Sequence, residues 1–313
     1  MKKILKTILA TSALALAAST VSAGEIAVIV KTTNSNFWQN VNKGATAAID
    51  EQSEHTMSFN GPASESAVAD QVSLVENAIN RGVSAIVLAP SDPEALAPAV
   101  KRAFEAGIPV AIIDSGLAEG NEQYYQTFLS TDNCAAGEQA AKLMIDNAGS
   151  SGKVAVMSYV AGVGSEIGRV GCFTKYLEEN SDIEIVGPLY SQSQMATALN
   201  QTTDTLAANG DLIGIFGANE PTAIGMGRAI EQAGKAGQLT AIGFDGNTDL
   251  QDMVKSGTLL ATAVQGSFQM GELGVKAVID LLAGETVTDF IDTGVVMVTK
   301  ENIDSPEAQN VLY

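Results

Sequence analysis

The chain is poor in the residues most enzymes use for chemistry. It has one histidine, His55, and two cysteines, Cys134 and Cys172, too few for a Cys/His zinc cluster. It has no Gly-x-Ser-x-Gly elbow and no Gly-x4-Gly-Lys-Ser/Thr phosphate loop, so serine-hydrolase and P-loop chemistry lack their usual frames. No catalytic constellation, metal site or cofactor is expected. Aromatics make up only 5% of the residues, with a single tryptophan, Trp38. Basic residues are scarce, 17 against 36 acidic ones, for a net charge of −19. That acidity argues against nucleic acid and anionic membrane surfaces as partners and is consistent with a soluble protein.

One apolar run stands out, Ile8 to Ala18. It is too short for an ordinary membrane span. Lys2, Lys3 and Lys6 precede it, and the small-residue exit Val21-Ser22-Ala23 follows. This is the grammar of a secretory leader over residues 1–23, and no cysteine follows the exit to take a lipid. Removing the leader removes three lysines and leaves 14 basic against 36 acidic residues, a charge of −22. A soluble, periplasmic, monomeric chain of 290 residues is expected, long enough for two lobes. In an oxidising compartment the two cysteines read first as a disulfide, Cys134–Cys172, with two buried thiols as the alternative. Both lie near the starts of predicted helices, 135–146 and 165–179.

Strand and helix signals alternate throughout, as in a parallel sheet with crossover helices. Strands are predicted at 25–31, 56–60, 85–89, 109–114, 154–160, 184–190, 212–218, 240–244 and 261–265. Between them, Phe37, Val41, Ala45 and Ala48 recur on one helical face, and Val68, Val72, Val75 and Ile79 on another. Asp92-Pro93 reads as a helix start, an N-cap followed by proline. The units at 24–114 and those after Lys153 repeat the same grammar, with the polar stretch 147–153 between them. The expectation is an α/β protein of two doubly wound parallel-sheet lobes joined by a multi-strand hinge, with the ligand in the cleft between them. The predicted lobes are 24–130 plus 266–288 and 131–265 plus 289–313.

Ligands bind outside the carboxyl ends of such strands, so these ends should carry the function. They present Lys31, Ser35, Asn36, Phe37 and Trp38; then Ser91-Asp92, Asp114-Ser115 and Ser130 to Asn133; and then Gln192 to Gln194, Asn219-Glu220, Phe244-Asp245-Gly246 and Gln265. Carboxylates, amides and a lysine suit a neutral polyhydroxylated ligand, whose hydroxyls both donate and accept. Aromatic rings suit the C–H faces of a sugar. Plainer roles stand beside these. Asp92 reads first as a helix cap, and Asn219 and Asp245 could be caps as well. Lys31 could be a solvated strand-end lysine, and Phe37 or Trp38 could be core. Gly162-Val-Gly164-Ser-Glu-Ile-Gly168 resembles a dinucleotide fingerprint with its last glycine one place late, and reads as a tight strand-to-helix turn. His55 falls at the wrong end of its strand for a cleft.

These residues resemble periplasmic sugar-binding proteins of ABC transporters, the ribose/galactose group of type I solute-binding proteins. The stretch Lys31-Thr-Thr-Asn-Ser-Asn-Phe37-Trp38 is similar to the Lys-Thr-x-x-Asn-Pro-Phe-Trp of D-allose-binding proteins. Ala89-Pro90, Thr131-Asp132-Asn133, Gly217-Ala218-Asn219-Glu220 and Gly243-Phe244-Asp245-Gly246 also fit the group. The resemblance covers essentially all of the chain after the leader. It implies that Phe37 and Trp38 stack on a sugar and that Lys31, Asp114, Asn219, Asp245 and Gln265 hydrogen-bond its hydroxyls. Phe244 is expected as a further wall. Arg169 stands either for the sugar-binding arginine after the fifth strand or for its structural neighbour. Ala89 and Ser115 replace an asparagine and an arginine of ribose-type proteins, and an aromatic near Ser193 is absent. All these departures fall on ligand contacts.

The expected function is capture of an aldopentose or aldohexose, ribose- or allose-like, between two closing lobes and its delivery to a membrane-embedded ABC permease. The alternatives are a receptor for a furanose-like autoinducer or a polyol and, against the missing catalytic groups, a nucleotide-dependent enzyme on the same α/β architecture.

Overall fold

The computed structural model describes residues 24–52 and 54–313; the expected leader lies outside the described residues. Along the chain the first lobe is built from β1 (Glu25–Ile29), α1 (Asn36–Gln52), β2 (Thr56–Asn60), α2 (Val68–Arg81), β3 (Ala85–Leu88), α3 (Ala97–Glu105), β4 (Val110–Ile113) and β5 (Thr127–Ser130). The chain crosses to the second lobe for α4 (Asn133–Ala148), β6 (Ser151–Ser158), α5 (Gly164–Asn180), β7 (Asp182–Tyr190) and α6 (Met195–Ala208). That lobe continues through β8 (Leu212–Gly217), α7 (Glu220–Gln232), β9 (Thr240–Phe244), α8 (Thr248–Ser256) and β10 (Ala261–Gln265). The chain returns to the first lobe for α9 (Ser267–Leu282) and β11 (Phe290–Asp292). It crosses a third time for β12 (Val295–Thr299) and α10 (Pro306–Gln309).

The two six-stranded sheets have matching orders, β11-β5-β4-β3-β1-β2 and β12-β10-β9-β8-β6-β7. Every pairing is parallel except β10 with β12. The five leading strands of each lobe thus follow the doubly wound order 2-1-3-4-5, whose reversal beside the first strand opens a crevice at the carboxyl ends. The central strands are near-continuous apolar runs because both faces are covered. Ile86 to Leu88 and Val154 to Met157 are buried along their whole length.

The helical faces read from the sequence explain the packing. Phe37, Val41, Ala45 and Ala48 all enter the first-lobe core. On α2 the fully buried positions are Gln71, Val75 and Ala78, with Val68, Val72 and Ile79 half-buried beside them. Gln71 bridges strand ends. Its Nε2 donates to the carbonyls of Val30 (3.1 Å) and Ala89 (2.8 Å), and its Oε1 accepts from Ser91 N (2.7 Å). Two glycines permit close helix contacts. A Cβ at Gly44 of α1 would collide with the Phe268 carbonyl of α9, and one at Gly137 of α4 with the Arg169 carbonyl of α5. The α4–α5 approach brings Cys134 and Cys172 into a disulfide, Cα–Cα 5.1 Å.

Several expectations are corrected. The third crossing falls after residue 292 and not after 288, because Phe290 to Asp292 pair with β5 in the first sheet. β5, β11 and β12 were not foreseen as strands. Asp92 caps one short turn, its Oδ1 accepting from Glu94 N and Ala95 N (2.9 and 2.7 Å), while α3 begins only at Ala97. The glycine-rich segment after β6 is, as expected, a tight turn into α5, closed by Glu166, which accepts from Ser158 Oγ (3.0 Å) and Gly162 N (3.3 Å). Among the described residues no helix is long and apolar enough to cross a membrane.

Candidate functional site

The two sets of strand ends face each other across a narrow cleft between the lobes. Lys31, Phe37, Trp38, Asp114, Arg169, Asn219, Asp245 and Gln265 all line it. Phe244, also expected there, does not. It is fully buried in the second-lobe core against Phe216, and its ring lies 3.6 Å from the Arg169 guanidinium carbon. Its role is to support Arg169 from beneath.

The first lobe contributes a buried ion pair. Lys31 Nζ lies 2.5 Å from Asp114 Oδ2 and donates to Ser115 Oγ at 2.6 Å. Ser115 Oγ donates in turn to Asp114 Oδ2 (2.8 Å). This lysine is therefore not a solvated strand-end residue. Phe37 and Trp38 meet edge to face with centroids 4.8 Å apart, and both reach the cleft although they are chain neighbours. Trp38 is pinned by its indole Nε1, which donates to Glu65 Oε1 at 2.9 Å.

The second lobe contributes a network around Arg169 and Asp245. Arg169 donates twice to Asn133 Oδ1, through Nε (3.1 Å) and Nη2 (2.7 Å), to the Ala218 carbonyl (2.7 Å) and to Gln265 Oε1 (3.2 Å). These contacts leave little of its donor capacity free, so it mainly fixes its neighbours. Gln265 Nε2 donates to Asp245 Oδ1 (2.8 Å), and Glu220 N donates to Asp245 Oδ2 (2.8 Å). Asp245 thus caps the start of α7, the helix after the neighbouring strand, whereas Asn247 caps α8. Asn219 has two tasks. Its Oδ1 accepts from Thr222 N (3.3 Å) and caps α7, while its Nδ2 donates to Ser193 Oγ (3.0 Å).

Burial sets the charge states. It raises the Asp245 carboxyl to about 6 against the opposing pull of Arg169. It raises Glu220 to about 8, with the nearby Asp245 charge adding to the effect. Burial also raises the Tyr159 phenol, which shares a 2.8 Å hydrogen bond with Ser165 Oγ.

Four lining residues escaped the sequence reading: Glu65, Tyr159, Ser165 and Pro221. Glu65 sits in the irregular loop after β2, a strand end of the first lobe left unread. Tyr159 and Ser165 flank the glycine turn, and their signal was the turn's position past a strand end. His55 lies at the far end of β2, its Nδ1 accepting from Gly24 N (3.3 Å).

Two parallel-sheet lobes closing on a polar, aromatic-walled cleft define a solute receptor of the type I periplasmic-binding-protein fold. The periplasmic binding protein domain family matches residues 26–286. An ABC transporter solute-binding protein from Agrobacterium vitis, solved with bound D-fucose, is 72% identical, with a TM-score of 0.92 over 93% of this chain and 100% of that one. A carbohydrate transporter solute-binding protein from Agrobacterium radiobacter, in complex with D-arabinose, is 30% identical, with a TM-score of 0.89 over 93% of this chain and 99% of that one. The D-allose-binding periplasmic protein of Escherichia coli is 30% identical over 275 residues, 85% of this chain and 87% of its own length. The chain belongs to the periplasmic binding protein family and acts as a binding protein, not an enzyme.

Proposed function

We propose that this protein captures a neutral monosaccharide in pyranose form, with D-fucose the first candidate, and hands it to an ABC permease after export to the periplasm through a cleaved leader. The observation that carries this reading is the cleft itself. Trp38 and Phe37 offer apolar faces, and Lys31–Asp114 and Gln265–Asp245 offer paired donors and acceptors from opposite lobes. A pyranose has apolar C–H faces and a rim of hydroxyls that meets both demands. The 72%-identical relative holds D-fucose, which favours this sugar over the ribose- or allose-like ligand suggested by the first strand end. Lys31, Phe37, Trp38, Asp114, Asn219, Asp245 and Gln265 are the proposed ligand contacts, with Arg169 positioning Gln265.

Calorimetric titration with D-fucose, D-galactose, D-allose, D-ribose, D-arabinose and xylitol tests it. D-Fucose should bind most tightly, and mass spectrometry should recover it unchanged. Binding of none of the sugars, or turnover of the bound one, would overturn the proposal.

A further inference from the structure

We infer that the carboxyl groups of Glu65 and Glu220 form a gate across the mouth of the cleft that limits the ligand to a single sugar ring. The inference rests on the monosaccharide reading above and deepens it.

The inner cleft is not the only cavity between the lobes. A second one, about 320 Å³, lies outside it and shares Ser35, Glu65, Glu220 and Pro221 as common wall. The two carboxylates in that wall each reach across the interlobe gap. Glu65, from the first lobe, accepts from Ser193 Oγ of the second at 2.6 Å. Glu220, from the second lobe, accepts from Asn36 N at the start of α1 at 2.8 Å. Both are buried.

Each is also held from behind. Glu65 Oε1 takes the Trp38 indole proton (2.9 Å), and Glu220 Oε2 accepts from the Tyr313 hydroxyl (3.1 Å). Tyr313 itself straddles the lobes. Its backbone N donates to the Gly246 carbonyl (3.2 Å) in the second lobe, while its ring packs against the first-lobe core. A buried carboxyl group held by two hydrogen bonds is costly to displace, whether ionised as a carboxylate or protonated. A substituent on the sugar pointing toward the outer cavity would have to break these bonds, although the outer cavity has room for it.

The test uses the full-length mature protein with D-fucose, its methyl and 4-nitrophenyl glycosides of both anomers, and its mono-O-methyl ethers. Wild type should bind free D-fucose at least 100-fold more tightly than every substituted form. In Glu220→Ala, in Ser193→Ala and in the double variant, that preference should fall at least tenfold for one or more substituted forms. An unchanged preference in variants that still bind D-fucose would overturn the gate, as would wild-type protein binding a glycoside as tightly as the free sugar. Tyr313→Phe, which keeps the ring and removes one restraint on Glu220, covers the case in which the alanine variants do not fold. It should release D-fucose several-fold faster by stopped-flow Trp38 emission, and an unchanged release rate would count against the gate. Failure of wild type to bind any pyranose would instead reject the monosaccharide reading.

Discussion

Asp114 and Asp245 are structural counterparts, one in each lobe. Each is the first residue past its strand, β4 or β9, and each has a left-handed backbone, φ 63° and 78°. Each amide N continues the ladder to the next strand, Asp114 to the Leu129 carbonyl (2.9 Å) and Asp245 to the Ala263 carbonyl (2.8 Å). Each carbonyl accepts from a hydroxyl on that strand, Ser130 Oγ (2.7 Å) or Thr262 Oγ1 (2.6 Å). A non-glycine residue in this region is strained, and such strain collects at binding sites. Here it turns a carboxylate from each sheet into the cleft.

The pair should therefore answer to mutation by side chain and by backbone separately. Asp245→Ala should weaken sugar binding by about 10- to 150-fold, the worth of a charged-acceptor hydrogen bond at about 1.5–3 kcal/mol. Asp245→Asn should cost less stability than Asp245→Ala, because asparagine tolerates the left-handed backbone. Asp114→Ala should also destabilise the fold, by about 3–5 kcal/mol, because it leaves Lys31 buried without its counter-charge. Calorimetric titration and urea denaturation of the three variants separate these effects.

The raised carboxyls make stability depend on pH. Folding holds protons on Glu220 and Asp245 that the unfolded chain releases in the ordinary carboxylate range, so the native state binds more protons than the unfolded state. Stability from these groups is present below that range and is lost as the pH rises through about 6 for Asp245 and about 8 for Glu220. The groups that matter are the Asp245 charge and the Tyr313 hydroxyl beside Glu220, and the charges of Arg169 and Asp114 around Asp245. Wild type should lose stability between about pH 4 and pH 8, by up to about 1.4 kcal/mol per pH unit for each proton released. Glu220→Gln should flatten the upper half of that profile in denaturant titrations, and a parallel profile would contradict the assignment.

Removing the disulfide should act on stability and spare the site. Cys134 and Cys172 are 38 residues apart in sequence, for which loop-closure entropy gives about 3–4 kcal/mol. The Cys134→Ser/Cys172→Ser protein should unfold at correspondingly lower denaturant and keep its affinity for D-fucose within about threefold.

Trp38 should report ligand directly. It is the only tryptophan, it is buried beside Phe37 and Lys31, and its indole is tied to Glu65. Its emission should change on addition of D-fucose. Trp38→Phe should abolish that signal and weaken binding by about tenfold, the order expected from losing part of an aromatic wall. Invariant emission at saturating sugar would place Trp38 outside the contact surface.

The central strands were readable because they are continuous apolar runs with turn residues after them, so the strand-end rule led to Lys31, Asp114, Asp245 and Gln265. The edges were less legible. Phe290-Ile-Asp292 and Thr127 to Ser130 are both too short to carry a period. Phe244 was misplaced because the strand-end rule ignores facing. Its side chain enters the core while the next residue turns into the cleft. Glu65 escaped because an irregular loop has no period to follow, and only Trp38 and Ser193, both distant in sequence, fix where its carboxylate points.

The third crossing also governs the order in which the molecule can be assembled. The first sheet lacks its edge strand until Phe290 to Asp292 are in place, and α1 lacks its glycine-matched partner until α9. A chain that emerges from its amino end therefore finishes the second lobe's five parallel strands before the first lobe is whole. Its five early strands can pair with one another but lack the edge strand β11 for most of synthesis. The first lobe is therefore the last to be completed, because the helix and edge strand that close it lie near the far end of the chain.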